Sequence, residues 1–528
     1  MEQLKTNETV DESRDFNSWL IYGICLGITL FFMFFFSVNS PIYTFNTHCD
    51  YNWYLTMGRG IVAGKVPYRD LFEQKGPITY FVFAFASLFP QPGWVICLIE
   101  SVCISIFLYF AYRIARKFLS PWLSLAVIPL TMMLLSTFYC GLGATRVEEF
   151  CLPIFAYALL CFLDFLMDRR PATWRRSLAL GICLGILFWV KFSMWEFFLM
   201  PMLIWLVINL VHRNFLVILR TGLIMLAGVL LVTLPVLIYF AVNGALDALW
   251  EVYFQINIGT YNGDVKGLSE SKLQMRSWLN SVSILFISPY FFVFFVWGIV
   301  CFAVQYWRQK SGWLMLIAVI PTWIMIGFFC GYPYYYMPLY AYALLGVIYA
   351  IKAVTRVLCA VDVVIRRQWV RVTITSMVVV VSFLLALPFV YNIQEINQPR
   401  ENYIALVVAD IIKEYNQSSN RPATLFCYEM ADCGFYNAIG LIPSMRYYAQ
   451  NAFTEKNFPE MYVAFDETIR NQTCDFVVMY SCIYDENEAF LSTYYDFYFG
   501  TREDSTLPYV FFAESAYHEN EIVILFRK

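Results

Sequence analysis

The feature that constrains this chain most is a series of apolar runs, each long enough to cross the ~30 Å hydrocarbon core of a bilayer. They fall at about residues 18–38, 94–112, 121–139, 148–167, 216–240, 282–305, 312–330, 336–355 and 372–392. A longer run at 177–211 carries only two charges, Lys191 and Glu196, and reads as two short helices meeting near Lys191. The expectation is a polytopic α-helical membrane protein with about 11 transmembrane helices. Only 14% of the 528 residues are charged, against about a quarter in soluble domains. The apolar surplus must face lipid, which excludes an ordinary soluble enzyme.

Charge divides the chain. Residues 395–528 carry 20 acidic and 9 basic groups, net -11, whereas residues 1–394 carry 19 and 27, net +8. The first region is the membrane module, with outer loops at 39–93, 140–147, 241–281 and 331–336. The second is a small soluble α/β domain, with strand-like runs at 423–429, 475–481, 509–515 and 521–527 and helical ones at 401–415, 458–471 and 488–499. Of the 27 basic residues before 395, 18 fall on one side of the eleven-helix layout and 9 on the other, which makes the richer side cytoplasmic. The N-terminus is then inside and the tail exoplasmic, in a plasma (cytoplasmic) membrane. The acidic leader before residue 18 lacks the basic n-region of a cleaved signal, so the first helix is expected to stay as an anchor. No basic stripe in a soluble region suggests nucleic acid, and no GxxxxGKS or GxGxxG turn offers a nucleotide seat.

Three histidines (His48, His212, His518) argue against histidine-based metal chemistry, so any divalent cation would use carboxylates. Eleven of the 15 cysteines lie in or beside apolar runs. Cys427, Cys433, Cys474 and Cys482 cluster in the tail, where three pairings are conceivable and none is assigned.

The polar residues that solvation does not explain gather on the outer side. Asp50 opens an amphipathic stretch, Tyr51 to Ala63, that Gly64 can end; its carboxylate reads equally as a helix N-cap or as a catalytic group. The aromatics of that stretch suit a helix lying among lipid headgroups. Lys75, before Gly76-Pro77 and a short apolar stretch, is a snorkelling anchor or a phosphate ligand. Arg146, Glu148 and Glu149 stand at the outer end of the fourth helix. The two carboxylates point about 100° apart, so one faces a cavity while the other turns aside or pairs with Arg146, or both serve the helix dipole. Lys191, inside the bilayer, requires a partner, an anion or Glu196. Five tyrosines between Tyr332 and Tyr340 exceed an aromatic belt, and Tyr335 or Tyr336 can donate to a phosphate or stack on a sugar.

An acid in the first outer loop, a tyrosine soon after, the stretch Gly64-Lys65-Val66-Pro67-Tyr68-Arg69-Asp70, and Lys75-Gly76-Pro77 opening a short apolar helix resemble the C-type (GT-C) glycosyltransferases. The nearest likeness is to bacterial relatives of protein mannosyltransferases and of the aminoarabinose lipid A transferase. It spans roughly residues 40–350, and family members carry Lys-Pro-Pro where this chain has Lys75-Gly76-Pro77. The resemblance implies a hexosyl- or pentosyltransferase using a polyprenyl-phosphate sugar at the outer leaflet, with inversion, on a glycan, lipid or protein acceptor. It implies Asp50 as general base, Lys75 as donor-phosphate ligand, and Arg146, Lys191 and Tyr335 as looser matches to further phosphate ligands. Some relatives use a divalent cation, and Glu148 and Glu149 leave that open. The rival reading is a transporter or flippase for a lipid-linked glycan; a carrier needs gates on both faces, whereas polar residues here concentrate on one.

Overall fold

The computed structural model describes residues 16–137, 143, 145–168, 173–260, 288–329, 333–360, 368–419, 421–450, 453–500 and 522–528. The acidic leader, residues 261–281 of the outer loop expected at 241–281, Tyr332 and the strand expected at 509–515 lie outside the described residues. The membrane part runs through α1 (Ser18–Phe36), α2 (Cys49–Val62), α3 (Pro77–Ala86), α4 (Pro92–Ala115), α5 (Pro121–Leu125), α6 (Val127–Ser136) and α7 (Val147–Asp168). It continues with α8 (Trp174–Lys191), α9 (Glu196–Val211), α10 (Phe215–Val242), α11 (Leu246–Leu249), α12 (Pro289–Gln305), α13 (Ser311–Phe329), α14 (Tyr340–Ala360) and α15 (Gln368–Ala386). Among the described residues seven helical stretches are long and apolar enough to cross a membrane, counting Trp174–Val211 as one, beside four shorter apolar helices. The chain is a multi-pass membrane protein.

The run expected at 121–139 is not one helix but two, meeting at Ala126. Pro129 has no N–H for the carbonyl of Leu125, and its ring crowds that carbonyl, so the ladder is interrupted there. The expected meeting of two helices near Lys191 is present: α8 ends at Lys191, a 3-10 turn spans Phe192–Trp195, and α9 starts at Glu196. Helices α8 and α10 run parallel, because Gly181 faces Met225 while Trp189, farther along, bonds Thr233. Helix α9 therefore returns between them. A Cβ on Gly181 would stand 2.1 Å from the Met225 carbonyl oxygen, and one on Gly228 2.5 Å from that of Leu178. Such small-residue contacts let helix backbones approach where lipid supplies no hydrophobic drive.

Helix α7 sets the depth scale. Its 22 residues span roughly 33 Å at 1.5 Å each. At one end Asp164 binds Lys117 and, at 2.7 Å, Arg176, while Asp168 takes Lys117 at 2.8 Å. Glu148 and Glu149 occupy the other end.

The tail carries α16 (Ile404–Ser419), β1 (Leu425–Cys427), α17 (Phe435–Ile439), α18 (Pro459–Arg470), β2 (Phe476–Tyr480), α19 (Ser481–Tyr494), β3 (Tyr495–Gly500) and β4 (Ile522–Arg527). Its sheet is ordered β1-β2-β4-β3, with β1 parallel to β2 and the other pairs antiparallel. The helix expected over 488–499 stops at Tyr494. Residues from Tyr495 pair with β4 instead, Tyr495 against Arg527 and Phe497 against Leu525, so the sheet gains an edge strand. Two of the aromatics of α2 are buried within the protein. Tyr51 and Tyr54 turn inward onto Phe83 of α3, at 5.9 and 5.5 Å between ring centroids, because the tail covers the face that would otherwise be wet.

Gly181→Ala should destabilise the protein by about 1–3 kcal/mol through overpacking. Gly27→Ala, at a site open within 4 Å, should change stability by no more than about 1 kcal/mol, in the favourable direction. Thermal unfolding of both variants in detergent checks the contrast.

Candidate active site

Two loops and one broken helix converge at the N-terminal end of α7. The first loop is built to present Lys75. Gly64, at φ +85°, ends α2 while Lys65 donates back to the Gly60 carbonyl at 2.8 Å. The chain then turns through Tyr68, held at φ +69° with its N–H on the Leu71 carbonyl at 2.8 Å. The Tyr68 hydroxyl donates to the Lys75 carbonyl at 2.5 Å, and the Lys75 N–H donates to Glu73 Oε2 at 2.9 Å. Tyr80 donates to the same Glu73 oxygen. Asn257 Nδ2 donates to the Gln74 carbonyl at 2.8 Å. Gly76 docks the loop on the end of α8: its N–H donates to the Val190 carbonyl at 3.0 Å, and a Cβ would lie 2.0 Å from the Trp189 oxygen. Proline there would lose the donor and collide, so glycine at this position follows from how closely loop and helix approach.

The second loop presents Arg146. Glu149 accepts the Gly143 N–H at 2.9 Å and the Arg146 N–H at 3.4 Å, which closes the N-terminus of α7. Asn39 Nδ2 donates to Thr145 Oγ1 at 2.5 Å, and its Oδ1 accepts from Asn46 at 2.8 Å, so the segment entering α2 is tied to the Arg146 loop.

Asp50 is not the N-cap of α2. The helix opens at Cys49 with His48 as the cap residue, and the Asp50 carboxylate instead accepts from Arg146 Nη1 at 2.9 Å. The proposed pairing of Arg146 with Glu148 or Glu149 therefore does not form through its guanidinium. Glu148 accepts from Lys191 Nζ at 2.6 Å, so Lys191 takes Glu148 as its ion-pair partner, not Glu196. Glu148 is 1% exposed, and Lys191 and Arg146 are 13% and 14% exposed at their side chains. Lys191 leaves its helix in extended backbone, φ -164°, which swings the ammonium off the helix axis. Its Nζ lies 3.1 Å from the Tyr335 ring centroid and 5.6 Å from that of Tyr334, and the Arg146 guanidinium sits 4.4 Å over Tyr334. Aromatic faces holding cations in this way stabilise the charge without adding a carboxylate. Tyr334 was not singled out from the sequence; in a run of three tyrosines only the phase of the 3-10 turn Pro333–Leu339 decides which ring meets which cation.

Lys75, Lys191 and Tyr335 line one cavity of about 1000 Å³, which continues along Leu184 of α8, Met202 of α9 and Met225 of α10 as far as Arg176. It is charged at the end where Lys75 and Lys191 lie, apolar along most of its length, and polar again at Arg176 and Ser177. Lys75 also acts electrostatically on Asp50, so the base candidate and the cavity mouth share one field. Burial pushes the Asp50 carboxyl up, but the charges of Arg146 and Lys75 and the Arg146 hydrogen bond outweigh it and hold the group below its usual range. Burial, reinforced by Arg146, lowers His48 to about 4 despite the opposing charge of Asp50. Glu148 and Glu149, the carboxylates left open for a divalent cation, are taken by Lys191 and by backbone N–H groups. Among the described residues no group of three histidine, cysteine, aspartate or glutamate side chains is placed to hold a metal.

His48 links this site to pH. Its folded value lies below the ~6.5 of the unfolded chain. Between pH ~6.5 and ~4 the unfolded state binds a proton that the folded state refuses, so stability should fall as pH drops through that window. His48→Asn should flatten this part of a melting-temperature profile against pH.

Residues 75–239 match the family model described as dolichyl-phosphate-mannose-protein mannosyltransferase. No curated protein matches the chain by sequence. Among solved structures, ArnT from Cupriavidus metallidurans in the apo state aligns with a TM-score of 0.59 at 13% identity, covering 96% of this chain and 97% of that one. ArnT bound to undecaprenyl phosphate gives a TM-score of 0.56 at 14% identity over the same shares. The oligosaccharyltransferase AglB from Archaeoglobus fulgidus, in complex with an inhibitory peptide and a dolichol-phosphate, gives 0.47 at 12% identity, covering 93% and 74%. Residues 75–239 are thus similar to the dolichyl-phosphate-mannose-protein mannosyltransferase family, and the chain shares the fold of ArnT over nearly its whole length.

Proposed function

We propose that this protein transfers a sugar, hexose or pentose, from a polyprenyl-phosphate donor to a glycan, lipid or protein acceptor at the outer face of the membrane, with inversion. The observation that carries the reading is the cavity that is apolar through the bilayer and closes on Lys75, Lys191 and Tyr335. That shape suits an isoprenoid chain whose anionic head stops at two ammonium groups. ArnT, which shares the fold, has been solved with undecaprenyl phosphate bound.

In this reading Lys75 and Lys191 bind the donor phosphate and stabilise the charge that grows on it as the glycosidic bond breaks. Glu148 orients Lys191, whose ammonium keeps further donors for the phosphate. Arg146 positions Asp50, and Asp50 takes the proton of the acceptor hydroxyl as that oxygen attacks the anomeric carbon from the face opposite the phosphate. The charges of Arg146 and Lys75, which lower the Asp50 carboxyl, favour its ionised form. Residues 1–394 act as the membrane module and 395–528 as an exoplasmic domain that shapes acceptor access, in the plasma membrane with the N-terminus inside. The basic network of Lys117 and Arg176, a full α7 length from Asp50's partner Arg146, supports that orientation.

The test is incubation of membranes with labelled polyprenyl-phosphate sugars, scoring transfer and donor hydrolysis against translocation. Asp50→Asn should lower turnover on the order of 10²-fold or more while undecaprenyl phosphate binding persists; normal transfer by a folded variant would move the base elsewhere. Lys75→Ala should raise the KM for donor more than that for acceptor. A reporter fused after Lys528 should register the exoplasmic side, and a cytoplasmic signal would reverse the assignment of the active face.

A further inference from the structure

Cys49 is the first residue of α2, adjacent to Asp50, and Cys433 lies in the tail between β1 and α17. Across 384 residues of sequence their sulfurs come to 3.0 Å of one another, both as thiols. A disulfide needs about 2.05 Å, so closure requires a movement of roughly 1 Å.

The surrounding contacts fix both partners. Asn437 Nδ2 donates to the Asn52 carbonyl at 3.1 Å and to its Oδ1 at 2.9 Å. Arg59 donates to the Asn437 carbonyl at 3.2 Å, and Thr56 to Asp432 at 3.4 Å. On the tail side Asp432 accepts the N–H groups of Gly434 and Phe435 at 2.9 and 2.8 Å, which holds the turn that carries Cys433. The sulfurs are therefore presented by two braced segments. Cys433 is 2% exposed, whereas Cys49 is partly exposed, so a reagent reaches Cys49 first.

We propose that Cys49 and Cys433 are a reversible dithiol–disulfide site that straps the tail to the helix carrying Asp50. The oxidant is a disulfide-bearing thiol carrier of the exoplasmic space, where such bonds persist. The Cys49 thiolate attacks one sulfur of the carrier disulfide and releases one carrier thiolate. The Cys433 thiolate then attacks the Cys49 sulfur and displaces the second. Two S–H bonds are lost and one S–S bond forms; the two electrons and two protons leave with the carrier as two thiols. In the oxidised state the first turn of α2 is covalently tied to the tail, and in the reduced state non-covalent contacts, the hydrogen bonds above among them, hold it.

The experiment uses purified full-length protein in detergent, where oxidant reaches both faces, incubated with oxidised glutathione or with dithiothreitol and then alkylated under denaturant. Oxidised protein should show two thiols fewer than the fifteen of the sequence, and mass spectrometry should find the Cys49 and Cys433 peptides joined. Dithiothreitol should restore both thiols. Cys49→Ser and Cys433→Ser should each abolish the joined peptide, while Cys482→Ser should leave it. Full alkylation of Cys49 and Cys433 after oxidation, or a joined Cys433 peptide that survives Cys49→Ser, overturns the proposal. The readout involves no sugar transfer, so its failure and that of the transferase reading are separable.

Discussion

Placing ionised groups at the ends of membrane-spanning helices, largely buried from water, is the constraint on which the rest of this structure depends. Each ion removed from water costs several kcal/mol, and a single unpaired partner left behind costs about 3–5 kcal/mol. The structure resolves this by pairing across elements: Asp50 with Arg146 and Glu148 with Lys191. At 2.9 Å and an effective dielectric of 20, one pair gains roughly 6 kcal/mol, about what its desolvation costs. The pairs therefore add little net stability, but they dictate geometry. The first turn of α2, the N-terminal end of α7 with the loop before it, and the last residue of α8 must meet, because they carry the halves of two pairs that cannot be left alone.

Around these pairs the backbone is committed to holding loops against helix ends. Gly76 gives its N–H to the end of α8 and brings Lys75 to the cavity mouth. Glu149 spends its carboxylate on the backbone N–H groups of Gly143 and Arg146, which frees the Arg146 side chain to reach Asp50. Two adjacent glutamates thus serve different ends: one closes a helix, the other orients a lysine. The tail completes the arrangement, with Arg446 donating to the Tyr68 carbonyl at 2.9 Å and to Glu251 at 2.9 Å, so the tail joins the Lys75 loop to the segment that follows α11.

What was legible in the sequence follows from period, length and charge. Apolar runs too long for a soluble core dictate helices in lipid, because only helices satisfy every backbone group within one segment there. The break at Lys191 was readable because a charge in mid-run cannot face hydrocarbon, and the net charge of -11 after residue 394 set the tail apart from the apolar runs. Asp50, Lys75, Arg146, Lys191 and Tyr335 stood out because each is polar at a depth where solvation does not explain it.

Tertiary structure alone decided the partnerships. Helical spacing constrains neighbours three or four residues away, but Asp50 and Arg146 are 96 residues apart and Glu148 and Lys191 43 apart, so no local period links them. The same limit hid Tyr334, whose contact depends on the phase of a 3-10 turn, and the meeting of Cys49 with Cys433. It also hid the packing of α2, whose aromatics suit a headgroup zone by composition while Tyr51 and Tyr54 pack on Phe83. Amphipathicity says that a face must be buried; it does not say against what, and that choice belongs to the folded chain.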